Sequence, residues 1–533
     1  MGKILYYNGP ILTMDRTAPR AEALLSENGR IVAVGALKDL DASGASRFDL
    51  DGRTLMPAFV DGHSHAVGYG IDMLKNCNLA GCTSFDELLQ RIRDYRERKG
   101  LTHGEAISCR GYDPELIQER RHPDARVLDT LGFDNPICCV HQSGHIVTCN
   151  TAAMKKAGLL DGEYVCPSGG FAGRDESGAL TGYFEETAKG SVMKIFKSSD
   201  PKAEAREGML LAEELYIRNG YTTIQEGGSN GAFQINVLGA LADEGKLRVD
   251  VVAYMTAKAK ERELRAELLR KFGRDYRNHL KLGGVKMFLD GSPQARTAWL
   301  SSPYEGESEY CGYPTISDKT ARLRVGAALD EGLQVMAHCN GDAASEQFLS
   351  AFEEEAERRG LLGRDLRPVM IHAQTVRYDQ LERMKRLGMM ASFFIGHCYY
   401  WGDTHLRNLG ERGTRISPAR RARALGIPFS FHQDCPVTPP DMLHSIWCAV
   451  NRVTRSGTVI GEENRLDVYD ALIAATRGGA YTYFEENTKG ILRAGALSDL
   501  ILLDRDPTAV DRTEIKDIRV LSTIKEDRVL FEG

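Results

Sequence analysis

The chain has 533 residues, of which 42% are hydrophobic and 27% are charged, so it can bury a large core and is not disordered by composition. Lys and Arg total 68 and Asp and Glu total 74, which gives a formal net charge of −6. No basic stripe dominates, and no apolar run reaches the ~18 residues of a membrane span, so we expect neither a nucleic-acid nor a membrane partner. The N-terminal residues lack the apolar segment of a signal peptide, which predicts a cytoplasmic protein.

Both ends of the chain have the pattern of short β-strands. Residues 1–57 alternate apolar runs with Asn-Gly or Asp-Gly turns at 8–9, 28–29 and 51–52, and such turns are strong hairpin signals. Residues 488–533 repeat the same pattern. Since neither segment alone has enough strands for a stable sheet, we predict that the two combine into one small β-sandwich domain.

The middle of the chain, residues 58–487, alternates candidate strands with helical stretches. This alternation is typical of parallel βα units, and eight strands indicate an α/β fold of the (β/α)8 barrel type. The predicted strands are Ala58–Asp61, Thr222–Gln225, Val249–Tyr254, Gly284–Leu289, Leu333–Ala337, Pro368–Ile371, Met389–Phe394 and Ile427–Phe431. Residues 66–205 are too long for one connection, so we predict an insertion after the first barrel strand that lies over the barrel mouth.

Two histidines follow the first predicted strand. His63 and His65 stand two residues apart, and because side chains alternate along a strand, they point the same way and can chelate one metal. An H-x-H pattern alone is weak, since it arises more often by chance or for packing. Its position at the carboxyl end of a strand counts for more, because active sites of such barrels lie on that face.

Four further polar residues stand at the ends of later strands. Lys286 lies in an otherwise apolar strand, where an ammonium is costly unless its charge is paired or removed. His338 and His372 are 34 residues apart, which is one βα unit of roughly 30 residues, and Asp434 follows after 62, or two units. Lys286 precedes His338 by one unit and a long loop. Chance does not readily place six such residues at strands 1, 1, 4, 5, 6 and 8, so we predict a metal site.

The segments that carry these residues also form a recognisable set. They are Leu55-Met-Pro-Ala-Phe-Val-Asp-Gly-His-Ser-His, Val285-Lys-Met-Phe-Leu-Asp-Gly-Ser, Ala337-His-Cys-Asn-Gly-Asp, Ile371-His-Ala-Gln and Gln433-Asp-Cys-Pro-Val. Together they resemble the metal-dependent amidohydrolase superfamily, closest to the branch of the N-substituted formamide deformylases, and the resemblance covers nearly the whole chain. It implies a distorted (β/α)8 TIM barrel that carries a β-sandwich made from both termini.

The resemblance also implies a set of metal ligands. In chain order these are His63, His65, Lys286, His338, His372 and Asp434. The first two histidines would bind one metal and the other two a second, and Asp434 would bind the first metal. Lys286 would bridge the two metals as a carbamate formed with CO2, which removes the problem of a buried ammonium. Zinc suits imidazole and carboxylate ligands best, although manganese, iron and cobalt stay open.

The activity implied is hydrolysis of a C–N bond in an amide, formamide or cyclic amide of a small molecule. A metal-activated hydroxide would attack the carbonyl, and Asp434 would act first as general base and then as general acid toward the departing nitrogen. Deamination on the same scaffold stays open, as does cleavage of an ester or lactone. A non-enzymatic binding protein is a remote alternative, because no ligand of the set is missing.

Three residues in loops are candidates for contact with a substrate. Tyr112 and His145 in the insertion, and His397 beyond the seventh strand, are candidate substrate-binding residues by loop position, although packing explains them equally well. If they line the pocket, they favour a partly apolar or aromatic substrate.

Gly227-Gly-Ser229-Asn-Gly231 matches the G-x-S-x-G motif of serine hydrolases, but a serine mechanism leaves the six metal-type residues unexplained. A homo-oligomer stays open, because barrels of this kind often associate but the sequence shows no interface signature.

Overall fold

The computed structural model describes residues 2–142, 144, 146–167, 170–196, 198, 200–228, 232–258 and 261–533. Within these ranges the strands are β1 (Lys3–Leu12), β2 (Arg20–Glu27), β3 (Arg30–Gly35), β4 (Ser46–Asp49), β5 (Thr54–Pro57), β6 (Phe59–Val60), β7 (Asn76–Asn78), β8 (Ile107–Tyr112), β9 (Ile137–His141), β10 (Ile146–Cys149), β11 (Gly170–Arg174), β12 (Leu180–Glu186), β13 (Tyr221–Gly227), β14 (Asp250–Thr256), β15 (Leu280–Phe288), β16 (Gln334–Cys339), β17 (Val369–His372), β18 (Met390–Phe393), β19 (Phe429–Phe431), β20 (Leu500–Leu503), β21 (Val520–Lys525) and β22 (Arg528–Glu532).

The α-helices of the described ranges are α1 (Ala66–Lys75), α2 (Phe85–Lys99), α3 (Ala125–Leu128), α4 (Thr151–Lys156), α5 (Gly190–Met193), α6 (Pro201–Arg218), α7 (Ala232–Asp243), α8 (Arg262–Phe272), α9 (Asp318–Asp330), α10 (Asp342–Arg358), α11 (Tyr378–Arg386), α12 (His397–Tyr400), α13 (Gly402–Leu409), α14 (Ala419–Leu425), α15 (Met442–Asn451), α16 (Val468–Ile473) and α17 (Gly479–Thr482). None of these helices combines the length and the apolar character needed to cross a membrane. The chain divides into two compact units, one of Met1–Tyr69 with Met209–Gly533 and one of Gly70–Gly208.

A parallel sheet of eight strands forms the centre of the first unit. Its strands follow one another in the order β6, β13, β14, β15, β16, β17, β18 and β19. The backbone N–H of Gly62, just after β6, donates to the carbonyl of Phe431 in β19 (3.3 Å), and the N–H of His65 donates to the carbonyl of Cys435 (2.9 Å). The first and last strands therefore meet, and the strongly curled sheet fits a distorted TIM barrel.

The barrel strands lie where their apolar runs predict them. β13, β16 and β17 are buried at nearly every position, because helices cover one face of the sheet and side chains fill the interior on the other. The surrounding helices are amphipathic: α11 buries Leu381 and Met384 and leaves its charged residues outside. Each strand carries its carboxyl end to the same rim of the barrel, where the loops with the polar motifs begin.

A second sheet of the first unit is built from both ends of the chain. Its order is β22, β21, β20, β5, β1, β2 and β3, and β4 pairs with β1. Strand β20 runs antiparallel to β5 and joins the C-terminal strands to the N-terminal ones, with Leu502 opposite Leu55. Leu24, Leu55 and Leu500 belong to the apolar core beneath this sheet. A two-layer sandwich of the termini stays a prediction.

The unit Gly70–Gly208 has a sheet of its own, in the order β11, β12, β10, β9, β8 and β7. Helix α2 begins after Ser84, whose side chain accepts the N–H of Glu87, and it ends at Gly100 in the left-handed conformation. Its apolar residues Leu88 and Ile92 pack in one core with Ile107 of β8. This unit therefore has a hydrophobic core independent of the barrel.

Candidate metal centre

His63 and His65 lie in the turn that follows β6. The buried carboxylate of Asp61 accepts the backbone N–H of His63 (3.1 Å) and the hydroxyl of Ser64, which sets the course of this turn. The Nε2 atoms of His63 and His65 are 3.4 and 3.7 Å from Oδ1 of Asp434. These three side chains can each offer one atom to a common metal, since the three atoms lie within 4.8 Å of one another.

Lys286 reaches the same place from β15, one of the middle strands of the barrel sheet. It lies in β15, is fully buried, and its Nζ is 2.8 Å from Nε2 of His63. Burial lowers the pKa of Lys286, against the opposing effect of the Asp434 carboxylate, because the interior penalises the ammonium. Burial likewise raises the pKa of Asp434, against the opposing effect of Lys286.

His338 and His372 form the other side of the centre, at the ends of β16 and β17. Nε2 of His372 is 3.0 Å from Nδ1 of His338 and 3.9 Å from Oδ2 of Asp434. Nδ1 of His372 and Oδ1 of Asp434 are buried and have no hydrogen-bond partner among the described residues. His372 and Asp434 have φ of 70° and 53°, and strained backbone of this kind persists mainly at functional sites.

The histidines are held by polar groups behind them. Oε1 of Gln225 lies 2.6 Å from Nδ1 of His63, and the Gln225 amide donates to the hydroxyl of Tyr483 (2.9 Å). With Nδ1 occupied, His63 has only Nε2 for a metal. On the other side, the carbonyl of Gly291 lies 3.1 Å from Nε2 of His338. The Asp290 carboxylate is 3.6 Å from the same nitrogen and accepts three backbone N–H groups at 2.6 to 3.1 Å.

The electrostatics keep these imidazoles neutral. Burial is the largest cause that lowers the pKa of His65 and of His338 to about 3, and the positive charge of Lys286 in its protonated form acts in the same direction. Burial and the neighbouring charges hold the pKa of His63 and of His372 well below 6.5. A neutral imidazole has the lone pair that a metal needs, so the donor set fits a divalent cation.

Two glycines at the end of β13 leave room for the centre. A Cβ on Gly227 would come 2.5 Å from Cε1 of His63, and one on Gly228, which has φ of 80°, would collide with Cβ of Lys286. The serine-hydrolase motif begins with these two residues, but its Ser229 lies outside the described residues. The two glycines that are described pack against His63 and Lys286.

The predicted substrate-binding residues have different surroundings. His397 begins α12 and is buried, with its Nδ1 2.9 Å from Nε2 of His405 and its ring against Phe394. Tyr112 belongs to the core of the unit Gly70–Gly208, and its hydroxyl is 2.9 Å from Nδ1 of His122. His145 lies outside the described residues. Contact with substrate stays a prediction for all three.

Sequence reasoning missed several residues around the centre. Gln225 and Asp290 are recognised as partners of the histidines only when the fold brings them together. His432 does carry a signal, because it stands two residues before Asp434, as His63 stands two before His65. Its ring lies 5.3 Å from that of His63 and 5.1 Å from that of His372, measured between centroids.

Comparison with known proteins adds independent findings. The model of the amidohydrolase family matches residues 47–531. The chain is similar to the amidohydrolase YtcJ of Bacillus subtilis strain 168, with 26% identity over 99% of each chain. It is similar to the N-substituted formamide deformylase of Arthrobacter pascens, with 24% identity over 100% of this chain and 99% of that protein. Among solved structures, an uncharacterized metal-dependent hydrolase from Pyrococcus horikoshii OT3 has a TM-score of 0.75 and 26% identity, covering 96% of this chain and 99% of the other.

Proposed function

Because the chain belongs to the amidohydrolase family, we propose that it is a metal-dependent hydrolase that cleaves a non-peptide C–N bond, in an amide, formamide or cyclic amide. The observation that carries the proposal is the convergence of six metal-type side chains, from five different strand ends, on one buried place at the rim of the barrel. The similarity to a metal-dependent hydrolase and to a formamide deformylase supports it.

The residues present fit two divalent cations. His63, His65 and Asp434 would hold one, and His338 and His372 would hold the other. Oδ1 of Asp434, which faces His63 and His65, is a buried polar atom without a hydrogen-bond partner among the described residues and gains from a ligand. Zinc matches this set of imidazoles and carboxylate. Lys286 would link the two sites as a carbamate, since its depressed pKa favours the neutral amine, the form that reacts with CO2.

When bound, the metals supply Lewis-acid polarisation of the scissile carbonyl and a lowered pKa for water. Asp434 takes up the proton that water gives up and passes it to the departing nitrogen, which must be protonated to leave. The raised pKa of Asp434, caused by burial, suits a carboxyl that both accepts and returns a proton. The carbonyl of Gly291 and the side chain of Gln225 keep His338 and His63 in one orientation.

The test is the metal content of the purified protein and of its Lys286→Ala variant, followed by screening of formamides, N-acyl amines and cyclic amides. Lys281→Met is the matched control, because Lys281 lies in the same strand but bonds to Glu485 and to the carbonyl of Tyr483. We expect nearly two metals per chain in the wild type and in the control, and a clear loss of metal and of hydrolysis in Lys286→Ala.

Other outcomes change the proposal in defined ways. If the wild type binds only one metal and the Lys286→Ala variant keeps it, Lys286 does not bridge two metals. If the protein then releases ammonia from an amino-substituted substrate, deamination is the better function. Preference for esters or lactones over amides contradicts the proposed bond. A protein that binds no metal and keeps its activity in chelator contradicts the proposal as a whole.

A further inference from the structure

His432 is a buried histidine at the centre that the ligand set does not include. It directly follows β19, and its backbone N–H continues the ladder by donating to the carbonyl of Phe393 (3.2 Å). Its side chain is 0% exposed. His432 stands two residues before Asp434 in the chain, and its ring lies next to the rings of His63 and His372.

Neither ring nitrogen of His432 has a hydrogen-bond partner among the described residues. The backbone of Ser392 lies beside the ring and, as a weak hydrogen-bond acceptor, raises the pKa of His432 against the larger effect of burial, but the contact does not have the distance and angle of a formed hydrogen bond. A buried polar group without a partner costs free energy, and native structures rarely tolerate one without a reason. The other buried histidines at this rim behave differently, since His397 and His405 bond to each other at 2.9 Å.

The ring distances are compatible with a metal as the partner. Two imidazoles bound to one zinc at the usual Zn–N distance of about 2.0–2.1 Å and a tetrahedral angle have centroids about 5 Å apart. The rings of His63 and His65 are 5.1 Å apart, and those of His338 and His372 are 4.3 Å apart. The ring of His432 is 5.3 Å from that of His63 and 5.1 Å from that of His372, so it lies at this spacing from one member of each pair.

We propose that His432 is an additional metal-binding side chain of this centre, so that the end of β19 supplies two ligands, His432 and Asp434. The inference rests on the proposed metal-dependent function. It gives the unpartnered imidazole its missing partner, a divalent cation. It also gives β19 the same arrangement as the end of β6, where His63 and His65 stand two residues apart.

The test compares His432→Phe, which keeps a flat ring without nitrogen, with the wild type in the cobalt-loaded protein. The measurements are cobalt stoichiometry, affinity by chelator competition, and the visible absorption of Co2+, which reports its ligands. His405→Phe is the matched control, because His405 is as deeply buried but bonds to His397. We expect at least a tenfold loss of cobalt affinity and a changed spectrum in His432→Phe, and neither in the control.

Unchanged affinity and spectrum in a folded His432→Phe protein would overturn the inference while leaving the two-metal hydrolase intact. Should that variant fail to fold, a crystal structure of the zinc-loaded wild type decides the matter. A ring nitrogen of His432 within about 2.3 Å of zinc supports the inference, and one beyond about 3.5 Å overturns it. A wild type without bound metal overturns this inference together with the proposed function.

Discussion

Gln225 shows how a single residue outside the ligand set controls the centre. Its carbonyl oxygen occupies Nδ1 of His63, and its amide is held by the hydroxyl of Tyr483. The Tyr483 hydroxyl in turn donates to the carbonyl of Asp61 (2.6 Å), so the chain of bonds returns to the turn that carries His63. This arrangement fixes the ring orientation and leaves Nε2 as the nitrogen for the proposed metal.

Removal of this support has a measurable cost. We expect Gln225→Ala to lower the affinity for zinc by 10- to 100-fold, the usual effect of losing a hydrogen-bond partner of a metal-binding histidine. The measurement is chelator competition on the folded protein. Gln347→Ala is the control, because Gln347 is a buried amide that bonds to Ile316 and Asp318 and to no histidine. Equal affinity in the two variants would show that His63 needs no such support.

At the scale of single residues, the six metal-type side chains could be named from the sequence because their spacing follows the βα repeat. Gln225 could not, since nothing in its neighbourhood along the chain distinguishes it from an ordinary strand residue. Its role comes from a contact with His63, 162 positions away. His432 could have been noticed from its spacing to Asp434, but its lack of a hydrogen-bond partner is visible only in the folded chain.

At the scale of elements, β13 prepares the space for the metal centre. The strand ends in Gly227, followed by Gly228, and these two positions face His63 and Lys286 with no side chain of their own. Five other barrel strands, β6, β15, β16, β17 and β19, contribute metal-type side chains there. β13 contributes the room that the neighbouring strands need.

A side chain at Gly227 should occupy the space that the His63 ring needs and disturb the candidate metal centre. We expect Gly227→Ala to displace the His63 ring, to lower the free energy of unfolding by about 1–3 kcal/mol, and to reduce bound metal. Gly35→Ala is the matched control, because Gly35 also ends a strand but a Cβ there has nothing within 4 Å. Denaturant unfolding and metal analysis of both variants test this, and normal metal content in Gly227→Ala would contradict it.

The eight barrel strands were the most predictable elements, and each predicted strand overlaps an observed one. Their ends were less predictable. The strand predicted at Gly284–Leu289 starts earlier, at Leu280, because the pair Lys281–Glu485 lets a charged residue enter the barrel sheet. The sheet of the two termini depends on pairing across more than 400 residues, which local sequence signals cannot specify.

At the scale of the whole molecule, the number of buried histidines makes metal-free stability sensitive to acid. Burial lowers the pKa of His65, His338 and His405 to about 3 and of His444 to about 4. In the unfolded chain each would titrate near 6.5. Between pH of about 3 and about 6.5, these histidines bind more protons in the unfolded state than in the folded state. Their contribution to the free energy of unfolding is therefore full above about pH 6.5 and decreases as the pH drops below it. Buried Asp61 acts in the opposite sense, since burial raises its pKa to about 6.

One variant isolates this effect from the metal site. At pH 5, His405 should be neutral in the folded protein and protonated in the unfolded one, so His405→Gln should reduce the proton uptake of unfolding by about one. The measurement is the pH dependence of denaturant unfolding of the metal-free protein. His103→Gln, at a side chain that is 87% exposed, is the control. An unaltered pH dependence in His405→Gln would contradict the burial argument.

The shared sheet of the termini has a consequence for synthesis on the ribosome. Strand β5 pairs with β20, which is translated more than 440 residues later. At 5–20 residues per second, the open edge of β5 waits about 20 to 90 s for its neighbour. An unpaired strand edge is a template for association with other chains. During this interval the exposed edge of β5 in the nascent protein needs protection from association with other chains. The interval ends when β20 emerges and pairs with β5.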